Sequence, residues 1–247
     1  MKSGKKTEKP YRAPNRHQPF FSFVKKILRL FYRRPAVTSL SGALPERAIF
    51  VANHCSKKGP VVYSLYLPAF FAPWGAHEML GNYSSRFHYL RDVYYIQKKG
   101  YHKPLASVCA AFEAAFSIFF YRGMHFLPSY PDARLAKTVR NSLTALENNV
   151  QVLVFPEDSS EGYKEQLTAF FPGFVMVAEH YFRKFGTDLP VYPVYYNDRT
   201  DRIVIGKPGY VQKYVRRGMD RAAIAEVFRK KVNALLPLTR RSLHTKA

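Results

Sequence analysis

The sequence predicts an α/β domain with a mixed, largely parallel sheet flanked by helices and preceded by an N-terminal amphipathic helix. Short apolar runs of strand length alternate along the chain with patterns of helical period. The chain has 247 residues, of which 47% are hydrophobic and 16% aromatic, so it can bury a sizeable core. The order of these elements shows no internal repeat, which excludes a solenoid.

The N-terminal part divides into two segments. Residues 1–18 are polar and basic with two prolines, and we expect a flexible basic arm. Residues 19–34, PFFSFVKKILRLFYRR, carry apolar side chains at helical spacing with lysine and arginine on the other side. This pattern predicts a basic amphipathic helix at a membrane interface. The alternative is a helix packed on the core of the domain itself.

The central and C-terminal parts carry the strand and helix patterns. We expect the main domain over residues 35–212 and a basic helix and tail over 213–247. Predicted strands cover residues 48–52, 150–157, 189–197 and 202–206. Predicted helices cover residues 132–148, 173–185 and 219–236.

An apolar segment over residues 105–121 contains a single charge, Glu113. A spanning helix needs about 20 predominantly apolar residues, so this shorter segment predicts a buried or monotopic helix rather than a span. Residues 60–74 are also apolar and aromatic. Together the two segments predict a surface that dips into lipid or cradles an acyl chain, with a large core as the alternative.

The charge distribution narrows the choice of partner. Lys and Arg number 39 against 17 Asp and Glu, a net charge of +22 that indicates a polyanion, either nucleic acid or an anionic membrane. Residues 1–34 and 199–247 each carry +10, whereas residues 35–198 carry only +2. Basic ends on a neutral core favour peripheral attachment to anionic lipid, and we expect no nucleic acid. A basic nucleic-acid-binding protein is the alternative of a different class.

The cysteines and the N-terminus bear on the compartment. Cys55 and Cys109 are the two cysteines, and they do not have metal-ligand spacing, so we expect a reducing compartment and no metal. The first 19 residues contain no apolar stretch typical of a signal peptide. We therefore expect the cytoplasmic face of a membrane, with peripheral or monotopic attachment.

Two polar motifs follow predicted strands. Asn53-His54-Cys55-Ser56 comes directly after the strand over 48–52, which places His54 where α/β domains put a general base. Phe155-Pro156-Glu157-Asp158-Ser159-Ser160 follows the strand near 150, and its carboxylates and hydroxyls are suited to orient an imidazole or bind a polar substrate. A lone histidine is more often structural, so the second motif is what strengthens the first.

Two further blocks complete the order: Phe171-Pro172-Gly173-Phe174 opening a helix, then Pro190-Val191-Tyr192-Pro193-Val194. This order resembles the glycerolipid acyltransferases, the PlsC-like group, over residues 48–206. The resemblance implies transfer of a fatty acyl group from acyl-CoA or acyl-carrier protein to a lysophospholipid such as lysophosphatidic acid. No further cofactor is implied.

The resemblance implies that His54 is the general base and that the Phe-Pro-Glu turn helps to bind the glycerol phosphate. From the residues themselves we expect Glu157 and Asp158 to take part in catalysis beside His54. The candidate substrate-binding residues are Ser56, Lys57, Lys58, Gly59, Phe155, Pro156, Ser159 and Arg134.

The motifs depart from the family pattern. Gly59 stands where the family has the Asp that orients the histidine, and Ser160 stands where it has a phosphate-binding Arg. The middle block, over residues 123–128, lacks the Asp-Arg pair. One interpretation is an active enzyme in which Glu157, Asp158 or Glu161 replaces the missing Asp and Lys57, Lys58 or Arg134 supplies positive charge. The other is an inactive lipid-binding relative. We favour activity, because His54, Ser56 and the Phe-Pro-Glu turn are all retained.

Overall fold

The computed structural model describes residues 11–55 and 58–240. Most of the predicted basic arm, the two substrate-binding candidates Ser56 and Lys57, and residues 241–247 of the predicted tail lie outside this range.

Over the described residues, eight strands form one sheet. They are β1 Ala36–Ser39, β2 Ile49–Ala52, β3 Phe71–Ala76, β4 Leu127–Ser129, β5 Gln151–Val154, β6 Pro190–Asn197, β7 Arg202–Ile205 and β8 Gly209–Tyr210. Their order is β1-β7-β6-β2-β5-β3-β4, with β8 also pairing with β6. The pairs of β6 with β7 and β8 are antiparallel and the others parallel, which confirms the predicted mixed, largely parallel sheet.

Helices cover both faces of the sheet. The α-helices are α1 Pro19–Phe31, α2 Lys58–Tyr66, α3 Tyr83–His88, α4 Lys103–Gly123, α5 Leu135–Glu147, α6 Gly173–Phe185, α7 Val211–Val215, α8 Arg221–Asn233 and α9 Leu236–Arg240. A 3₁₀ turn, His77–Leu80, precedes α3, and a π-helix, Tyr89–Lys98, follows it.

Strand β2 is buried on both faces of the sheet. Ile49 and Val51 belong to one core cluster with Phe174 of α6 and Phe228 of α8, and Phe50 belongs to the other cluster. Alternate side chains of a strand point to opposite faces, so a strand covered on both sides must be apolar throughout. Because α8 supplies Phe228, the chain beyond residue 212 contributes to the core of the same sheet.

A third, smaller core cluster lies beside the sheet. Leu90 and Tyr94 of the π-helix pack with Met79, Ala110 and Ala114. The helix predicted over residues 105–121 is α4, which supplies the two alanines, whereas the sequence pattern indicated neither α3 nor the π-helix. The predicted segment over 60–74 divides into α2 and β3 in the structure, because Pro68 and the neighbouring turn interrupt it.

Candidate functional site

The polar motifs meet at one edge of the sheet. Strands β6, β2 and β5 are mutually parallel, and β3 continues the parallel run to β4. The carboxyl ends of all five strands therefore lie on the same edge, where open α/β sheets bind their ligands. His54 follows β2 and Glu157 follows β5, the adjacent strand.

Asn53 holds the end of β2 in place. Its side chain is 4% exposed. Its Oδ1 accepts hydrogen bonds from the Tyr63 hydroxyl, at 2.9 Å, and from the Tyr196 N–H, at 2.8 Å. Its Nδ2 donates to the Tyr196 carbonyl at 2.9 Å. A buried amide held by three hydrogen bonds fixes the backbone on either side of it, so the direction in which the chain leaves β2 towards His54 is defined.

Glu157 connects the two motifs. Its Oε1 accepts the backbone N–H of His54 at 2.9 Å, across 103 positions of sequence. The side chain is 9% exposed, and burial raises its pKa to about 7, against the opposing effects of the His54 N–H and of Lys98. Glu157 thus acts on the His54 main chain, and near neutral pH it changes between its neutral and charged forms.

The His54 imidazole lies among aromatic rings. The Tyr163 ring stacks on it at 4.9 Å between centroids with an interplanar angle of 22°. The Phe155 ring meets it edge-on at 4.9 Å and 62°. These contacts restrict the orientation of the imidazole. The sequence did not point to Tyr163, because it lies in a polar loop without a motif.

Lys98 brings a positive charge to the same loop. Its Nζ donates to Ser159 Oγ at 2.7 Å and lies 5.2 Å from the centre of the Tyr163 ring. Burial lowers the pKa of Lys98, while the nearby Glu157 and Asp158 carboxylates act in the opposite direction. Lys98 ends the π-helix, and such irregular helices are frequent at functional sites. The chain has many lysines, and nothing in the sequence around Lys98 distinguishes it from the others, so the sequence analysis did not place Lys98 at the site.

The remaining carboxylates of the loop have other partners. Asp158 is exposed, and its Oδ1 accepts the N–H of Ser160 at 3.0 Å, which lowers the pKa of Asp158. Glu161 pairs with Lys164 at 2.6 Å. Pro156 is buried and its carbonyl accepts the Phe171 N–H at 2.7 Å, so it fixes the turn. Of the three carboxylates suggested as substitutes for the missing Asp, Glu157 is hydrogen-bonded to His54, through the main-chain N–H of His54.

Gly59 has a steric reason to be glycine. A Cβ at this position would lie 2.0 Å from the His54 carbonyl oxygen and 2.8 Å from its carbon. The Gly59 residue is buried and its N–H faces the Cys55 carbonyl at 3.4 Å. An aspartate at position 59 would therefore have no space in this backbone.

Two of the predicted positive charges, Lys58 and Arg134, form ion pairs at this edge of the sheet. Lys58 Nζ lies 3.2 Å from Asp201 Oδ1, in the loop after β6. Arg134 pairs with Asp132 at 2.7 Å and lies over the Tyr130 ring at 4.6 Å, in the segment after β4. Strand β4 is three strand spacings from β2, about 14 Å. Arg134 therefore belongs to the far part of the same edge, beyond the ring contacts of His54.

Cys55 is not poised as a nucleophile. Burial raises the pKa of its thiol to about 12, and the neighbouring Asp198 acts in the same direction. The thiol thus stays protonated at neutral pH, whereas the thiolate is the reactive form. Over residues 11–55 and 58–240, no group of three or more His, Cys, Asp or Glu side chains has the arrangement of a metal site.

No protein-family model matches the chain, and no curated protein matches it significantly. The assignment of a chemistry therefore depends on the motifs and on the geometry described above.

Proposed function

We propose that the protein is a membrane-associated acyltransferase that moves a fatty acyl group from acyl-CoA or acyl-carrier protein to a lysophospholipid such as lysophosphatidic acid. The observation that supports this most is the hydrogen bond between Glu157 and the His54 main chain. It brings together two motifs that are far apart in sequence, in the order and at the sheet edge that an acyltransferase of this kind would need.

In the proposed reaction, His54 acts as general base. Its imidazole takes the proton of the acceptor hydroxyl while that oxygen attacks the carbonyl carbon of the thioester. The tetrahedral intermediate then collapses, the carbon–sulfur bond breaks and the departing thiolate takes the proton back from the imidazolium. The products are one new ester and one free thiol, and no covalent bond to the protein forms.

The aromatic contacts support the role of the base. A general base must hold its ring within hydrogen-bond reach of the acceptor hydroxyl. In the proposed enzyme, the Tyr163 and Phe155 rings help to orient the His54 imidazole, which an aspartate does in the glycerolipid acyltransferases. Glu157 keeps the His54 main chain at the end of β2.

Lys98 supplies the positive charge in this proposal. It is bonded to Ser159, one position before the place where the family pattern has its phosphate-binding arginine. A partly desolvated ammonium attracts a phosphate more strongly than an exposed one. We infer that Lys98 and Ser159 bind the acceptor phosphate, and that the negative charge of the neighbouring Asp158 limits how much further negative charge can bind there.

The test is a thioester-release assay with purified full-length protein. Acyl-CoA and acyl-carrier protein are offered as donors against a panel of lysophospholipids, and free thiol and the acylated product are both measured. The proposal expects thiol release that depends on the lysolipid and matches product one to one. Absence of product with every donor and acceptor would reject acyl transfer.

One observation favours a second candidate, a lipid-binding relative without turnover. The packing of Gly59 on the His54 carbonyl excludes the aspartate that normally orients the base. This candidate predicts saturable lysolipid binding by calorimetry together with no thiol release. Lysolipid-dependent turnover that is lost on replacing His54 would exclude it.

A further inference from the structure

Two helices present large apolar side chains to solvent. On α4 they are Leu105, Val108, Phe112, Phe116 and Phe119, and on α1 they are Phe20, Phe23, Ile27, Leu30 and Phe31. Their exposed fractions range from 42% to 82%. We call these ten residues the apolar face. Exposed apolar patches of this extent mark sites of interaction with a protein or a membrane.

The two helices contact each other through Phe21. Phe21 of α1 is buried, and its ring lies 6.0 Å from that of Phe120 on α4. A Cβ on Gly123 would lie 2.2 Å from the Phe21 ring, so α1 sits directly against the end of α4. This contact holds α1 next to the end of α4.

The opposite side of α4 packs against the rest of the protein. Ala106, Ala110 and Ala114 are fully buried. The Arg86 side chain donates to the Ala114 carbonyl at 2.9 Å, and the Tyr95 hydroxyl donates to Glu113 at 2.8 Å. The single charge within the apolar segment is therefore paired on the protein side.

Length alone would allow α4 to cross a membrane. The helix has 21 residues, and its most apolar stretch of 18 residues has a mean hydropathy of 1.5. It would extend about 30 Å, the thickness of the hydrocarbon layer. A crossing would expose Glu113 and separate the buried alanines from α3 and the π-helix, at the cost of the third core cluster. Lying parallel to the membrane surface keeps that packing and still buries the apolar face.

Basic residues on and after α1 indicate which kind of surface the apolar face binds. Lys26 and Arg29 are exposed on α1, and the exposed Arg33 and Arg34 follow it directly. Basic residues near a membrane surface favour anionic over neutral lipid.

We propose that the apolar face docks on an anionic bilayer with α4 lying in the plane of the interface. This inference deepens the membrane association of the proposed function, and it does not require acyl transfer.

Depth-dependent fluorescence quenching tests the orientation of α4. Leu105→Trp, Phe112→Trp and Phe119→Trp place probes along one side of the helix, and the wild-type protein, whose Trp74 is 8% exposed, is the control. The vesicles contain phosphatidylcholine and phosphatidylglycerol, brominated at shallow or deep acyl positions. We expect similar quenching at all three positions and strongest quenching by the shallow label. Deep quenching that peaks at position 112 would indicate a span, and no quenching would indicate no docking; either result overturns the proposal.

Vesicle flotation tests the docking itself. Phe112→Glu combined with Phe116→Glu is expected to weaken binding to the same vesicles at least 10-fold, because the two substitutions replace large apolar side chains of the apolar face by charged ones. Val215→Glu, at an exposed apolar position on α7, is the control and is expected to bind as the wild type does. Concentration-dependent self-association without flotation would show that a second copy covers the apolar face, and would contradict the proposal.

The flotation experiment contains no acyl donor. Failure of docking would leave thiol release on detergent-dispersed lysolipid unaffected, so the two proposals can fail separately.

Discussion

The Glu157 carboxylate accepts the backbone N–H of His54 at 2.9 Å while remaining 9% exposed. A buried carboxylate bonded to one N–H is stable only if its ionisation is suppressed or compensated. Here both occur, since burial raises the pKa to about 7 and Lys98 offsets part of that rise. The bond that joins the two motifs is therefore sensitive to pH.

We expect Glu157→Gln to remove a pH dependence of stability. The ordinary pKa of 4.5 rises to about 7 in the folded protein, so the folded state binds more protons than the unfolded one between these values. The free energy of unfolding should therefore fall as the pH rises from about 4.5 to 7, by up to about 3 kcal/mol. Urea unfolding of both proteins from pH 5 to pH 8 checks this. A difference between variant and wild type that does not grow with pH would contradict it.

Introducing an aspartate at position 59 should destabilise the protein rather than increase its activity. Gly59→Asp and Gly59→Ala both place a Cβ 2.0 Å from the His54 carbonyl oxygen, and we expect each to cost at least about 2 kcal/mol of stability. Gly100→Ala is the control, since a Cβ there meets nothing within 4 Å and only the positive φ opposes it, at about 1 kcal/mol. Thermal unfolding measures all three. An increase in activity with Gly59→Asp would show that the backbone near His54 differs from the one described.

Tyr163 should affect turnover through its aromatic ring rather than through its hydroxyl. Tyr163→Phe keeps the ring that stacks on His54, and we expect turnover within about 3-fold of the wild type. Tyr163→Ala frees the imidazole, and we expect kcat to fall about 10-fold or more with little change in KM. The His54 ring proton shifts in NMR spectra should lose the ring-current effect in the alanine variant alone. Equal kinetics in both variants would exclude a positioning role for the ring.

Replacing Lys98 should weaken the binding of acceptors that carry a phosphate. With Lys98→Met we expect KM for lysophosphatidic acid to rise about 10-fold or more, since a charge-assisted contact is lost, and KM for monoacylglycerol to change little. Lys99→Met, at the exposed neighbouring lysine, is the control. Equal effects on both acceptors would place Lys98 elsewhere in the reaction.

The sequence predicted the fold class because strand and helix patterns act locally. Apolar runs such as the one ending at Asn53 identify buried strands, and the structure confirms β2, β5, β6 and β7 within the predicted ranges. Four strands were missed. Strand β1 is largely exposed and so lacks an apolar run, β3 contains Pro73 and Gly75, and β4 and β8 have only three and two residues, too few to show a period. The π-helix was missed because its packing, rather than its residue pattern, determines its geometry.

The site was predictable only in part for a related reason. His54 and Glu157 follow strands directly, so their placement at one edge follows from the topology. Tyr163 and Lys98 reach the site through a loop and a helix whose positions depend on the third core cluster. The clash at Gly59 is also a tertiary contact, and the sequence showed only that the aspartate was absent.

The most direct test of the central claim is lysolipid-dependent release of free CoA by the wild type and by His54→Ala. His17→Ala, at an exposed histidine outside the site, is the matched control, and circular dichroism checks that each variant is folded. We expect His54→Ala to lose turnover by about 100-fold or more while His17→Ala retains it. Unchanged turnover in folded His54→Ala would contradict the assignment of His54 as the base.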